Sequence, residues 1–217
     1  MKRNVTIVLL LCTLFVLPQL ALAERDFYKV GVITSLSGDL ATGGSVTKRG
    51  YDLWAQTLNA TGGIEINGKK FKVDLVYGDD QSKPDQAASA AERLATKEKV
   101  DFVLGPYASG TTLAAAPVLE KYKIPMITGS AESPMIWLQK FKYTFGTIPP
   151  VNYTGASPIE TLTALNPAPK SAVILGSNDT FSKATAEAFK EAAEKAVEKA
   201  VPGMGGGARK LLDSIFK

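Results

Sequence analysis

The chain has 217 residues, 45% of them apolar, with 25 basic and 21 acidic side chains, one cysteine and no histidine. That content fills a core and excludes wholesale disorder, and a formal charge of +4, spread among acids, is too balanced for a nucleic-acid surface. Without histidine no Ser–His catalytic arrangement exists, and a transition-metal site would have to be all carboxylate.

Residues 1–23 read as a signal peptide. "MKRN" is a basic start, an apolar run follows, and Ala21, Leu22 and Ala23 supply small residues at the −3 and −1 positions of a cleavage site. A membrane anchor is the alternative, against which stand Pro18 and the shortness of the run. Cleavage after Ala23 predicts export and removes Cys12, leaving no thiol and no disulfide.

"FYKVGVITSL" (27–36) reads as a buried strand, and 45–59 as a helix with Tyr51, Trp54, Ala55 and Leu58 on its apolar face. "IEINGKKFKVDLVY" holds Asn67-Gly68 between two apolar runs, a two-residue hairpin signal. In "SKPD", Ser82 is the expected cap and Asp85 its reciprocal acceptor. The helix they open should turn Ala87, Ala88, Ala91, Leu94 and Ala95 to the sheet. "VDFVLG" is the next strand, "YASGTT" leads into a helix that Pro117 should bend, and "IPMIT" is another strand. This alternation predicts an α/β fold, a parallel sheet with helices on both faces.

"KYTFGTIPPVNYTG" (142–155) reads as an extended crossing between units. A helix over 155–165, a buried strand "SAVILG" (171–176) and an amphipathic helix over 180–201 follow. One strand cannot bury a sheet, so a second lobe begins and stays incomplete. The glycine run of "PGMGGGARK" reads as a flexible linker before a short helical tail.

Ligands of open α/β sheets sit outside the carboxyl ends of the strands, which points to loops 35–44, 78–82, 105–111 and 128–134. "YASGTT" and "TGSAES" are rich in small hydroxylic residues. A helix opening near Ser109 offers unpaired N–H groups and a partial positive charge, and the Ser109 hydroxyl adds a donor. The alternative is that Ser109 only caps its own helix, but a cap does not require a second polar loop at the next strand end. Asp79 and Asp80 suit a hard cation, or a solvated or capping role. Phosphate-loop spacing is absent, and a Ser–Lys pair would have only Lys83 to draw on.

"VGVITSLSGDLATGG", "TGGIEINGKKFKVDLVYGDDQSKPDQA", "VDFVLGPYASGTT" and "IPMITGSAESP" together resemble the first lobe of leucine/isoleucine/valine-type substrate-binding proteins. These are the type I periplasmic binding proteins of ABC importers. "SAVILGSNDTFSKATAEAFKEAAEKA" resembles the opening of their second lobe, and the likeness runs from Tyr28 to Ala196. It implies a periplasmic protein that clamps a small polar solute (an amino acid, an amide or a related compound) between two lobes, without cofactor or chemistry. The closed form would dock on a membrane permease. It divides the chain into a signal peptide (1–23), a first lobe (24–147), a hinge crossing with the start of the second lobe (148–200), and a linker with a divergent tail (201–217).

On the same resemblance, Ser109, Ser130 and Glu132 hold the ligand, with Tyr107, Gly110 and Thr111 close by and Tyr153, Asn178 and Asp179 approaching from the second-lobe side. Amino-acid binders usually carry a threonine at Glu132. A glutamate repels an anion unless protonated or turned away, or it accepts hydrogen bonds from an amide, amine or hydroxyl. Loop 39–45 lacks the aromatic residue that often packs on the ligand, for which Tyr107 can substitute. Because the pattern is left after Ala196, a full clamp is not expected, and binding by this chain is expected to be weak or absent. The alternatives are a sensor or receptor ectodomain of the same fold, or a non-binding fragment.

Overall fold

A computed structural model describes residues 25–154, 156–164 and 173–200. The signal-peptide reading, the glycine linker and the tail lie outside these residues.

Six strands form one sheet in the order β2-β3-β1-β4-β5-β6: β1 (Phe27–Thr34), β2 (Ile64–Ile66), β3 (Lys69–Asp79), β4 (Phe102–Leu104), β5 (Met126–Thr128) and β6 (Thr144–Gly146). β2 runs antiparallel to β3 through the expected hairpin, with Asn67 at φ 52° and Gly68 at φ 78°, both in the left-handed region that such a turn requires. The other neighbours are parallel. β6 was not expected. Thr144–Gly146 lies in the stretch expected to be an extended crossing, yet it pairs with β5 from Met126↔Thr144 to Thr128↔Gly146. A three-residue strand is too short for periodicity to reveal.

The helices are α1 (Ala41–Ala60), α2 (Pro84–Arg93), α3 (Ser109–Tyr122), α4 (Pro134–Leu138), α5 (Val151–Thr154), α6 (Ala156–Thr163) and α7 (Thr180–Ala200). A π-helical turn, Leu94–Glu98, extends α2, and α3 runs on through Pro117. Both faces of the sheet are covered, as expected. Successive strand side chains point to opposite faces. Ile33 and Val103 therefore join Ala87, Ala90, Ala91, Leu94, Ala115, Ala116 and Leu119 on the side of α2 and α3. Val30 and Val73 pack with Ala55 of α1 on the other, against Phe102 and Leu104.

Several local expectations are corrected. The face of α2 rotates slightly: Ala90 is buried, whereas Ala88 and Ala95 are only half-buried. Trp54 stays 37% exposed instead of packing inward. α1 begins at Ala41, four residues before the expected start, because Gly43 and Gly44 serve close approach and not chain termination. A Cβ on Gly44 would lie 1.9 Å from the Ser35 carbonyl oxygen.

The capping box at "SKPD" does not form. α2 starts at Pro84 without a side-chain cap. Ser82 instead reaches across to the first loop: its hydroxyl donates to the Ser37 carbonyl at 2.8 Å and accepts the Leu40 N–H at 3.0 Å. The described part of the expected strand "SAVILG" is not a strand. Val173 is 79% exposed and Leu175 92%, since no partner strand among the described residues takes up its backbone groups.

Candidate functional site

The carboxyl ends of β1, β3, β4 and β5 open on one side of the sheet, and the loops there sort into two pairs. Loops 35–44 and 78–82 bind each other. Asp79 accepts the N–H groups of Leu36, Ser37 and Gln81 at 2.9, 3.2 and 2.8 Å, and the Ser37 hydroxyl at 2.6 Å. Burial works to raise its pKa, but these four hydrogen bonds outweigh burial and hold the carboxyl below the usual aspartate range. Asp80, fully buried, accepts the Ser35 hydroxyl at 2.6 Å and the Ser82 N–H at 2.9 Å. The cation reading of the two acids is thus replaced by a loop-fastening role. Among the described residues no three His, Cys, Asp or Glu side chains are grouped to hold a metal.

The second pair, loops 105–111 and 128–134, is fastened by hydroxyls. The Thr128 hydroxyl donates to the Pro106 carbonyl at 3.0 Å and accepts the Ala131 N–H at 3.0 Å. Ser130 donates to the Tyr107 carbonyl at 2.8 Å. Ser109, 1% exposed, accepts the N–H groups of Glu132 and Ser133 at 3.2 and 3.1 Å. Ser133 in turn caps α4, accepting the Met135 N–H.

Ser109 therefore does not cap its own helix. The N-cap of α3 is Ala108, with no side-chain hydrogen bond. The hydroxyls of Thr111 and Thr112 donate to the Ala108 carbonyl, at 3.0 and 2.9 Å, and among the described residues no side chain caps the first turn. Among the described residues the opening N–H groups of α3 have no side-chain acceptor and are left as donors, with the positive end of the helix dipole behind them.

These donors line a cleft of about 680 Å³, within the range of small-molecule sites. Of the nine residues singled out from the sequence, Tyr107, Ser109, Gly110, Thr111, Ser130, Glu132, Asn178 and Asp179 line it. Tyr153 does not, and is 74% exposed. Leu40, Ser82 and Phe181 are among the lining residues that the sequence did not single out. Leu40 and Ser82 are brought there by their mutual hydrogen bond, which spans 42 residues and leaves no mark on sequence spacing. The turn at Thr128 and the helix start at Ser133-Pro134 were not expected either, although a hydroxyl bonding a few residues on, and Pro at the first helical position, are short-range signals.

The far wall is the segment before α7 and the first turn of that helix, where Asp179 is the cap. Asp179 accepts the N–H groups of Phe181 and Ser182 at 2.8 and 2.9 Å and the hydroxyls of Ser177 and Ser182. Burial raises its pKa and these bonds overcome it, so the carboxyl titrates below its ordinary value. Two helix starts thus meet at the cleft, one uncapped and one capped. They approach closely: a Cβ on Gly110 would lie 3.3 Å from the Thr180 hydroxyl oxygen.

Comparison with known proteins identifies the family and the fold. A family model described as "Periplasmic binding protein" matches residues 28–203. Leu/Ile/Val-binding protein homolog 3 of Brucella melitensis is 28% identical over 163 residues, 75% of this chain and 43% of that protein. Among solved structures, the branched-chain amino acid substrate-binding protein LivJ of Streptococcus pneumoniae, in complex with isoleucine, aligns with a TM-score of 0.69. It shows 30% identity over 76% of this chain and 46% of that one. An ABC-transporter solute-binding protein of R. palustris, in complex with 4-hydroxybenzoate, gives 0.63 at 30% identity, covering 78% and 44%. The chain spans less than half the length of these relatives.

Proposed function

Because the chain belongs to the periplasmic binding protein family, we propose that it is the extracytoplasmic solute-binding component of an ABC importer, holding a small polar solute without transforming it. The observation that carries this reading is the uncapped first turn of α3 opening into a cleft of about 680 Å³. Unpaired N–H donors at the positive end of a helix suit a carboxylate or carbonyl oxygen. The relatives in complex with isoleucine and 4-hydroxybenzoate support a solute of that size and polarity.

On this reading residues 24–147 form the first ligand-binding lobe, and 148–200 the hinge crossing and the start of a second. Gly110 and Thr111 offer their N–H groups to the solute. Ser109, both of whose acceptor positions are filled, keeps its O–H proton to donate. Tyr107 and Phe181 supply aromatic surface, Asn178 lines the same cleft, and Tyr153 stands outside it. The partner is a membrane permease, and the compartment is the periplasm.

The test is thermal unfolding of the chain alone and with amino acids, amides and small aromatic acids. A solute bound only to the folded state stabilises it by about 2.7 kcal/mol at a hundredfold excess over its dissociation constant. A midpoint that no compound moves would sink the reading.

A further inference from the structure

Glu132 is fixed in the cleft by both of its backbone groups. Its N–H donates to the Ser109 hydroxyl oxygen at 3.2 Å, and its carbonyl accepts the Val151 N–H at 2.9 Å. Glu132 is half-buried and lines the cleft with Ser130 and the first turn of α3. Among the described residues nothing donates a hydrogen bond to this carboxylate, and no lysine or arginine nitrogen comes within 4.0 Å of it. The contrast with Asp179 is direct, because that second acid of the lining has both oxygens occupied by its own helix start.

A carboxylate accepts and cannot donate. A solute that covers it without supplying a donor strips its water for nothing in return. A solute that is itself a carboxylate adds like-charge repulsion. On the same lining, the first turn of α3 presents the opposite requirement, N–H donors that need an acceptor. The two demands are met together by a carboxamide, whose C=O faces the helix and whose NH2 faces Glu132. An ammonium-bearing acid meets them with separate groups.

We propose that Glu132 makes this cleft selective for solutes that carry an N–H donor beside an acceptor oxygen, carboxamides and ammonium-bearing acids, over simple carboxylic acids. This rests on the solute-binding reading above. The experiment is calorimetric titration of the full chain with two matched pairs, isovaleramide against isovalerate and benzamide against benzoate, and with leucine. The same titrations are made on Glu132→Gln, whose unliganded melting curve reports that it folds.

The wild type should bind each amide at least about tenfold more tightly than its acid, and Glu132→Gln should bring the pair to near equality by improving the acid. Leucine should lose affinity in the variant as its ammonium loses the charge. Acids bound as tightly as amides by the wild type overturn the proposal and leave the solute-binding reading standing; that arm does not depend on the variant folding. An amide preference that Glu132→Gln leaves unchanged also overturns it. Binding of none of the five probes at millimolar concentration overturns both.

Discussion

The Ser109 hydroxyl oxygen accepts the Glu132 N–H across 23 residues of sequence, at 3.2 Å, and so ties the start of α3 to the loop after β5. Two of the residues picked out as ligand contacts are thereby structural partners first. Ser109→Ala leaves the Glu132 and Ser133 N–H groups without their acceptor. It should cost about 1–3 kcal/mol of stability and weaken solute binding as well. Denaturant unfolding and titration of the same variant check both halves; a loss of affinity with no loss of stability would contradict the fastening role.

Two glycines of α1 should respond with opposite signs. Gly44→Ala drives a Cβ to 1.9 Å from the Ser35 carbonyl oxygen, backbone that cannot yield without moving β1 or the helix. We expect a destabilisation of about 3 kcal/mol. Gly50→Ala meets nothing within 4 Å in mid-helix, and should stabilise by about 0.5–1 kcal/mol. Paired thermal melts decide it.

Acid should loosen the first pair of loops. Hydrogen bonds hold the Asp79 carboxyl below its ordinary value of 3.8 despite the opposing effect of burial, and hydrogen bonds from Lys48 and Tyr77 do the same for Asp52. A depressed folded-state pKa means that the unfolded chain takes up the proton first as pH falls. This contribution is therefore complete above the unfolded value, and is lost as pH drops through the folded one. Asp79→Asn should lower stability at neutral pH and flatten part of the fall below about pH 4. Melting midpoints taken from pH 7 downward measure this, and an unchanged acid limb would rule Asp79 out as a source.

Leu94, fully buried at the π-helical turn, touches the face where Gly31, Val100 and Val103 meet. Leu94→Ala should cost about 3 kcal/mol through lost burial and the cavity left behind. The denaturant midpoint should fall with its slope unchanged.

The α/β class, the Asn67-Gly68 hairpin and the alternation of strand and helix were legible from local pattern, because each depends on residues a few positions apart. So were the cleft-lining loops 105–111 and 128–134, since the loops at the carboxyl ends of the strands follow from strand direction alone. What local pattern misread shares a cause. Ser82 looks like a cap and Gly43-Gly44 like a helix boundary, yet both answer to loops and strands distant in the chain.

Composition by itself excluded histidine-based catalysis and left small hydroxylic turns as the chemistry on offer. Only the tertiary structure decided how those hydroxyls are used. Packing β4 beside β5 places Ser109 against the 132–133 backbone. That spends the serine oxygen on fastening and leaves the first turn of α3 bare. It likewise separates two acids that look alike in sequence. Asp179 is consumed by the start of α7, and Glu132 is held by its backbone with its carboxylate free among the described residues. Hydrogen-bond partners brought together by folding, and not residue type, determine which polar groups remain open to the cleft.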